Sequence, residues 1–374
     1  MSACRRHLGV LLVLLLGAAC AAPSATAPAK PAASAPAPGP TANSASAPAA
    51  AGAQPSGFAS AKLPAPVTVK FGYTPFLSGG PVFVALERGY FEELNLNLDM
   101  IRFNSGALMV APLASNDLDL GNGGLSPGLY NALLRDVRLK LVADGSHSEA
   151  GGGTSITLVR KDLWDAGTIR QPTDLRGRRV NFATDGSPID YMMRNLLRQN
   201  GMTMEDMDVV RLTSSDVLVG LQNGALDVGT AAEPFPTQVE NMGVAIKWLS
   251  DGDIVPGFQI GAIMSSEKTA AQPDVLRAFM TAYVRAIREY RAADFGRGDD
   301  GMVAAISKWT TVPPEVIKAA GAPAFAPDGG LNLEDMSKQQ DFWIAEGVMK
   351  QKVDMNQFVD LSAVQYANQV LGSQ

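Results

Sequence analysis

Cysteine is nearly missing from this chain of 374 residues: there are two, Cys4 and Cys20, and none beyond. A disulfide framework is therefore excluded for everything after Cys20, and the fold must be held by its core. Histidine is as scarce, with only His7 and His147. One histidine and no free thiol in the mature region leave carboxylates as the remaining metal donors, and no Asp/Asn-Gly run has calcium-loop spacing. The phosphate-loop pattern ending in Gly-Lys-Ser/Thr is absent, and neither Gly-rich stretch, 121–128 or 151–153, completes a dinucleotide fingerprint. No metal and no cofactor is expected. Positive charge is also in deficit. All 37 acidic residues and 28 of the 31 basic ones follow residue 57, a formal charge of −9. That excludes nucleic acid, which needs a basic face, and broad adsorption to anionic lipid. No apolar run after the N-terminal segment is long enough to span a bilayer.

What is present begins with an export signal. Arg5-Arg6 precede an apolar run from Leu8 to Leu16 and then the small residues Gly17-Ala18-Ala19. The run is about half of the ~20 residues a membrane span requires. Cys4 and His7-Leu8 around the arginine pair fit a twin-arginine motif poorly, so a general secretory route is expected. Cys20 has no disulfide partner in the mature chain, which points to lipid attachment at that residue. The position three before it is Gly17, where a bacterial lipoprotein signal usually has Leu. The alternative is cleavage near Ala19 or Ala21 and free release.

Residues 21–57 hold sixteen Ala, eight Pro and one charge, Lys30. Such a segment buries too little apolar surface to offset its ordering entropy, so a disordered or polyproline-like tether is expected.

Strand and helix patterns then alternate. Val67–Phe71, Leu96–Phe103, Leu118–Gly121 and Leu139–Ala143 read as strands. Pro81–Phe91, a segment from Gly106 through Leu113, and Pro127–Arg135 read as helices. This βαβ order predicts a largely parallel sheet. The pattern restarts with strands at Ile156–Val159, Arg178–Phe182, Val209–Leu212, Leu226–Thr230 and Val244–Leu249, and helices at Pro188–Asn200 and Asp216–Gln222. After Phe258–Met264 the chain turns helical, with Leu276, Phe279, Met280, Tyr283, Ile287 and Tyr290 forming one apolar stripe. An internal echo accompanies the restart. Leu113, Leu118, Asp119 and Gly121 match Leu221, Leu226, Asp227 and Gly229 at a constant offset of 108. Two lobes of one architecture follow, with Asp119 and Asp227 as turn residues, not catalytic acids.

Gly124-Leu-Ser126-Pro-Gly128 fits a hydrolase nucleophile elbow. The serine needs a base, and the single mature-chain histidine, His147, precedes the second lobe, where elbow families place it late in the chain. The alternative is a turn in which Ser126 caps a helix and Pro127 fills its first turn.

A loop type recurs: Ser78-Gly79-Gly80-Pro81, Asn104-Ser105-Gly106, Gly123-Gly124-Leu125-Ser126-Pro127 and Thr184-Asp185-Gly186-Ser187-Pro188 each join a strand to a helix. Small residues let backbone N–H groups and hydroxyls approach a ligand, and the helix terminus adds partial positive charge. In open α/β sheets ligands bind beyond the carboxyl ends of strands, where these loops lie. The expected ligand-contacting residues are therefore Ser78, Gly79, Ser105, Gly106, Gly123, Ser126, Thr184, Asp185 and Ser187. Tyr73, Phe76, Tyr191, Phe235 and Phe258 lie in or near the loops and either stack on a planar ligand or belong to the lobe cores.

Taken in order, Val84-Ala-Leu-Glu-Arg-Gly-Tyr-Phe91, Leu96-Asn-Leu98, Phe103-Asn-Ser-Gly106, Leu118-Asp-Leu-Gly121, Asp174-Leu-Arg-Gly-Arg-Arg-Val180, the 184–188 loop, Leu226-Asp-Val-Gly229 and Glu233-Pro234 resemble the substrate-binding proteins of bacterial ABC importers, of the nitrate/sulfonate/taurine and thiamine-precursor type. The resemblance covers residues 67 to about 350. It implies a periplasmic-binding-protein type II fold: two similar α/β lobes joined by two hinge crossings, near Gly153–Arg160 and Gly257–Met264. The implied layout is a signal at 1–19, a tether at 20–65, lobe 1 at 66–155, lobe 2 at 156–260 and a helical return to lobe 1 at 261–374. It also implies a monomer without chemistry that closes on one small molecule and loads a permease with its cytoplasmic ATPase, held to the membrane by lipid at Cys20. A sulfonate- or nitrate-like anion suits a Gly/Ser-rich cleft. A thiamine pyrimidine precursor or another planar heterocycle suits the aromatic candidates. Glu233 either opposes an anion or accepts a hydrogen bond from a ligand amine. An enzyme on the same fold and a tethered sensor are the competing classes.

Overall fold

A computed structural model describes residues 57–135 and 137–372. The export signal, the lipidation expected at Cys20 and residues 20–56 of the tether lie outside the described residues. Residues 57–65, assigned to the tether from sequence, are packed on the first lobe. Phe58–Ala61 forms a 3-10 turn, Ala61 and Leu63 are buried, and the Gly57 N–H donates to the Val370 carbonyl at 2.9 Å.

Among the described residues, ten strands form two sheets. They are β1 (Val67–Tyr73), β2 (Leu96–Arg102), β3 (Leu120–Gly124), β4 (Leu139–His147), β5 (Ser155–Arg160), β6 (Arg179–Asn181), β7 (Asp208–Val210), β8 (Val228–Ala232), β9 (Ala245–Ser250) and β10 (Gln259–Ser266). The sheet orders are β2-β1-β3-β10-β4 and β7-β6-β8-β5-β9. Largely parallel sheets were expected, and both are mixed. β10 runs antiparallel to β3 and β4, and β5 runs antiparallel to β8 and β9, while the remaining strands share one direction. The reversed strand in each sheet is the one that arrives from the other lobe. A strand fed through a helical crossover returns in the same direction. One fed directly from the neighbouring lobe has no such crossover and enters reversed.

The crossings themselves lie a few residues before the expected positions. Residues 155–160 and 259–266 are strands, and the connecting segments are 148–154 and 251–258. The helix expected over Pro81–Phe91 is two helices, Gly80–Glu87 and Tyr90–Glu93. Gly89 separates them at φ 72°, a left-handed conformation that stops a helix and suits glycine.

The 108-residue echo is structural. β3 and β8 are offset by that interval over their whole length, and so are the helical segments before them, 106–114 and 214–222. Asp119 accepts the Lys70 N–H at 2.9 Å and its own N–H donates to Lys70 O at 3.1 Å. Asp227 does the same with Arg179, at 3.1 and 2.9 Å. Both aspartates clamp the start of a lobe's central strand pair, which is the turn role read from sequence.

The lobes differ in what covers them. The apolar stripe of helix Pro273–Ala292 is buried along its length, with Phe279 stacked 5.6 Å from Phe71 and 5.2 Å from Phe91. Helices Asp300–Thr310, Pro314–Ala319 and Ser362–Leu371 extend this core, so the C-terminal third reinforces lobe 1.

Candidate ligand-binding site

The strand-to-helix loops of both lobes converge on a cavity of about 250 Å³. Lobe 1 contributes Phe76, Ser78, Ser105, Gly106, Asn122 and Gly123, and lobe 2 contributes Thr184, Ser187, Thr213, Ser214 and Glu233. Ligand cavities commonly span roughly 300–1,000 Å³, so this one suits a small solute. The lobes meet through small residues: a Cβ on Gly124 would lie 3.2 Å from the Pro188 ring, and one on Gly186 would lie 2.8 Å from Pro127.

Eight of the expected residues line the cavity: Phe76, Ser78, Ser105, Gly106, Gly123, Thr184, Ser187 and Glu233. Gly106 has a steric reason. A Cβ there would lie 2.7 Å from both Gly123 Cα and Gly124 N, so the helix start lies flat against β3 only without a side chain. Ser187 accepts the Asp190 N–H at 3.2 Å and caps helix Pro188–Gln199.

Five expected residues do not line it. Tyr73 is core, with its ring edge-on to Phe83 and Trp309 at 5.6 Å. Gly79 lies against the Phe83 ring, where any side chain would collide. The Ser126 hydroxyl accepts the Leu129 N–H at 3.2 Å, so this serine caps helix Pro127–Leu133. Asp185 is largely exposed and pairs with Arg211 and with Arg194. Tyr191 reaches from its lobe 2 helix to Phe258 and Phe342, with centroids at 4.7 and 4.8 Å, and fills the seam beside the second crossing. Phe258 is therefore core as well, and Phe235 packs in the lobe 2 cluster. Phe76 remains as the aromatic lining residue.

Glu233 is 1% exposed and fully engaged. Its Oε1 accepts from the Thr237 hydroxyl at 2.9 Å and the Gly321 N–H at 3.2 Å and lies 2.9 Å from Lys247 Nζ, while Oε2 accepts the Thr237 N–H at 3.1 Å. Its peptide bond to Pro234 is cis. The Lys247 ammonium balances its charge, so it neither repels an anion strongly nor offers a free acceptor. Among the residues lining the cavity there is no lysine, arginine or histidine. Donors are hydroxyls and the backbone N–H groups at the starts of the segments at Leu77, Gly106 and Ser214; Pro188 has no N–H, and the Asp190 N–H of its turn is taken by the Ser187 hydroxyl.

Sequence reading missed Asn122, Ser146, Thr154, Ser155, Thr213 and Ser214. Thr213-Ser-Ser-Asp216 is a strand-to-helix cap of the same kind as the four loops that were singled out, so a signal existed there. Asn122 and Ser146 are strand residues with no local mark. Thr154 and Ser155 end the first crossing, and their N–H groups both donate to the Asp251 carboxylate of the second crossing at 3.2 Å. Asp251 thus ties the two crossings together beside the cavity. Burial, opposed by these backbone donors, raises its pKa to about 7.

This arrangement is the two-lobed fold of periplasmic binding proteins. It is shared with the alkanesulfonate-binding protein SsuA from Xanthomonas axonopodis pv. citri, solved bound to MOPS, at TM-score 0.63 and 18% identity over 80% of this chain and 100% of that one. It is shared also with the periplasmic nitrate-binding protein NrtA from Synechocystis PCC 6803, at TM-score 0.69 and 15% identity over 83% and 90% of the two chains. The chain belongs to the NMT1-like family, whose sequence model matches residues 62–297. It is 27% identical to the taurine-binding periplasmic protein of Escherichia coli K12 over 222 residues, 58% of this chain and 64% of that protein.

Proposed function

We propose that this chain is the solute-binding component of an ABC importer, an exported lipoprotein held to the membrane through Cys20. It captures a small sulfonate- or nitrate-like anion, or a related small organic compound, between its lobes and delivers it to a permease. The observation that carries the reading is the cavity itself: small, formed by both lobes, rich in hydroxyls and helix-start N–H groups, and without a lining cation. Such donors hold a delocalised monoanion without an ion pair. The relatives named for taurine, alkanesulfonates and nitrate support the same class. Phe76 at the wall favours one second reading, a planar heterocycle such as a pyrimidine precursor. The protein is not an enzyme on this reading: no cysteine or histidine lines the cavity, and its one carboxylate is engaged.

A thermal-shift screen of the full chain against taurine, alkanesulfonates, nitrate, bicarbonate and aminopyrimidines tests it. A ligand at a thousand times its Kd adds about 4 kcal/mol, an easily seen shift. Ser187→Trp fills the cavity wall and is expected to abolish that shift while leaving the ligand-free melting cooperative. An unchanged ligand response in the variant would place the site elsewhere.

A further inference from the structure

Most polar side chains around the cavity are hydroxyls, which donate or accept as a ligand requires. Asn122 differs. It lies on β3 at the cavity floor and is 7% exposed. Both hydrogens of its side-chain amide are used by the protein: Nδ2 donates to the Ser78 carbonyl at 2.9 Å and to the Gly145 carbonyl at 3.1 Å. This fixes the amide orientation, because the flipped form would set Oδ1 against two carbonyl oxygens. Oδ1 has no hydrogen-bond partner among the described residues and is not sealed from solvent, and at this lining residue it opens on the cavity. Space above it is kept clear by glycine. A Cβ on Gly145 would collide with Oδ1, and one on Gly261 would come within 3.6 Å of it. The equivalent residue in lobe 2, Thr230, shows the contrast. Its hydroxyl donates to Asn181 O at 2.6 Å and accepts from Asn181 Nδ2 at 3.4 Å, so within its own lobe it finds both a donor and an acceptor partner.

We infer that Asn122 is a specificity-determining residue that selects ligands carrying an N–H or O–H group at the cavity floor. Oδ1 can only accept, and an acceptor shut away from water without a donor is costly. The lobes enclose a ligand, so closure on a molecule without a donor leaves Oδ1 unsatisfied, while a donor-bearing ligand completes it. The inference rests on the binding function proposed above and narrows its ligand class. Amino- or hydroxyl-bearing sulfonates and aminopyrimidines are favoured, and nitrate and plain alkanesulfonates are disfavoured.

Matched pairs test it. Binding to the full chain is measured by calorimetry for 2-aminoethanesulfonate against propane-1-sulfonate, and for a 4-aminopyrimidine against its 4-methyl counterpart. In the wild-type protein the donor-bearing member of at least one pair is expected to bind about tenfold or more tightly than its partner. In Asn122→Leu that ratio is expected to fall close to one, whatever happens to absolute affinity. Should the variant fail to fold, the wild-type ratios decide alone. Equal or tighter binding of the donor-free member in wild type would overturn the role of Asn122 and leave the binding function standing. A ratio unchanged in a folded Asn122→Leu would assign the selection to another group and also overturn it. Absence of binding by all four probes would instead overturn the proposed ligand classes, and the inference with them.

Discussion

The two lobes are copies of one plan that diverge where they face each other. Strand order and the reversed strand from the crossing are the same in both, and the clamping aspartates, the third strand and the helical segment before it correspond at an offset of 108. At Gly106 and Ser214 the same junction is solved in two ways. Lobe 1 omits the side chain and lays backbone against Gly123 and Gly124. Lobe 2 fills the space with a hydroxyl that accepts the Ala232 N–H at 3.1 Å. At Asn122 and Thr230 one copy leaves an acceptor open and the other satisfies itself. The scaffold is held by what the copies share, and the chemistry of the cavity comes from where they differ.

The largest expected effect concerns the tie between the crossings, which neither copy contains alone. Burial pushes the pKa of Asp251 up to about 7, well above the ordinary carboxylate value of about 4. The folded protein therefore holds a proton that the unfolded chain has released, and stability falls as pH rises from about 4 to about 7, by up to a few kcal/mol. Asp251→Asn cannot titrate, so denaturant unfolding across that window should show a flatter pH dependence than wild type. Parallel profiles would mean that Asp251 is ionised throughout.

Next comes the junction. Gly106→Ala should destabilise by about 1–3 kcal/mol, because its Cβ meets backbone that cannot swing aside, and ligand affinity should fall with it. Ser214→Ala loses only a hydroxyl and should cost about 1 kcal/mol. Equal costs from chemical denaturation would show that the two junctions are not as different as their geometry indicates. The smallest effect is a difference between twins. Asp119→Ala and Asp227→Ala should each cost about 1 kcal/mol and agree within about 0.5 kcal/mol, since the backbone clamps repeat each other and each second carboxylate oxygen has one further partner at 3.2 Å, the Thr269 hydroxyl for Asp119 and Arg160 for Asp227. A larger gap would mean that one lobe leans on its clamp more than the other.

Much of the fold was legible because local pattern carried it. Alternating apolar residues marked strands such as Val67–Phe71, which the structure extends to Tyr73, and the stripe from Leu276 to Tyr290 marked the long helix. Strand direction was not legible, because β5 and β10 look like any other apolar strand, and their reversal depends on which lobe the chain has just left. Half of the site was visible as Gly/Ser/Pro loops at strand ends. Tyr191 shows the limit of that signal: it sits three residues past Pro188, yet its ring turns away from the cavity to meet Phe342 from the far end of the chain.

The amino-acid sequence by itself determined the two α/β lobes, their internal repeat and that no disulfide forms beyond Cys20, because period, turn residues and composition are local properties. Tertiary structure alone decided which hydroxyls share one cavity, that Glu233 spends its charge on Lys247, and which way Asn122 points. That last choice is set by carbonyls 44 and 23 residues away along the chain, and nothing in the neighbourhood of Asn122 records where they will be.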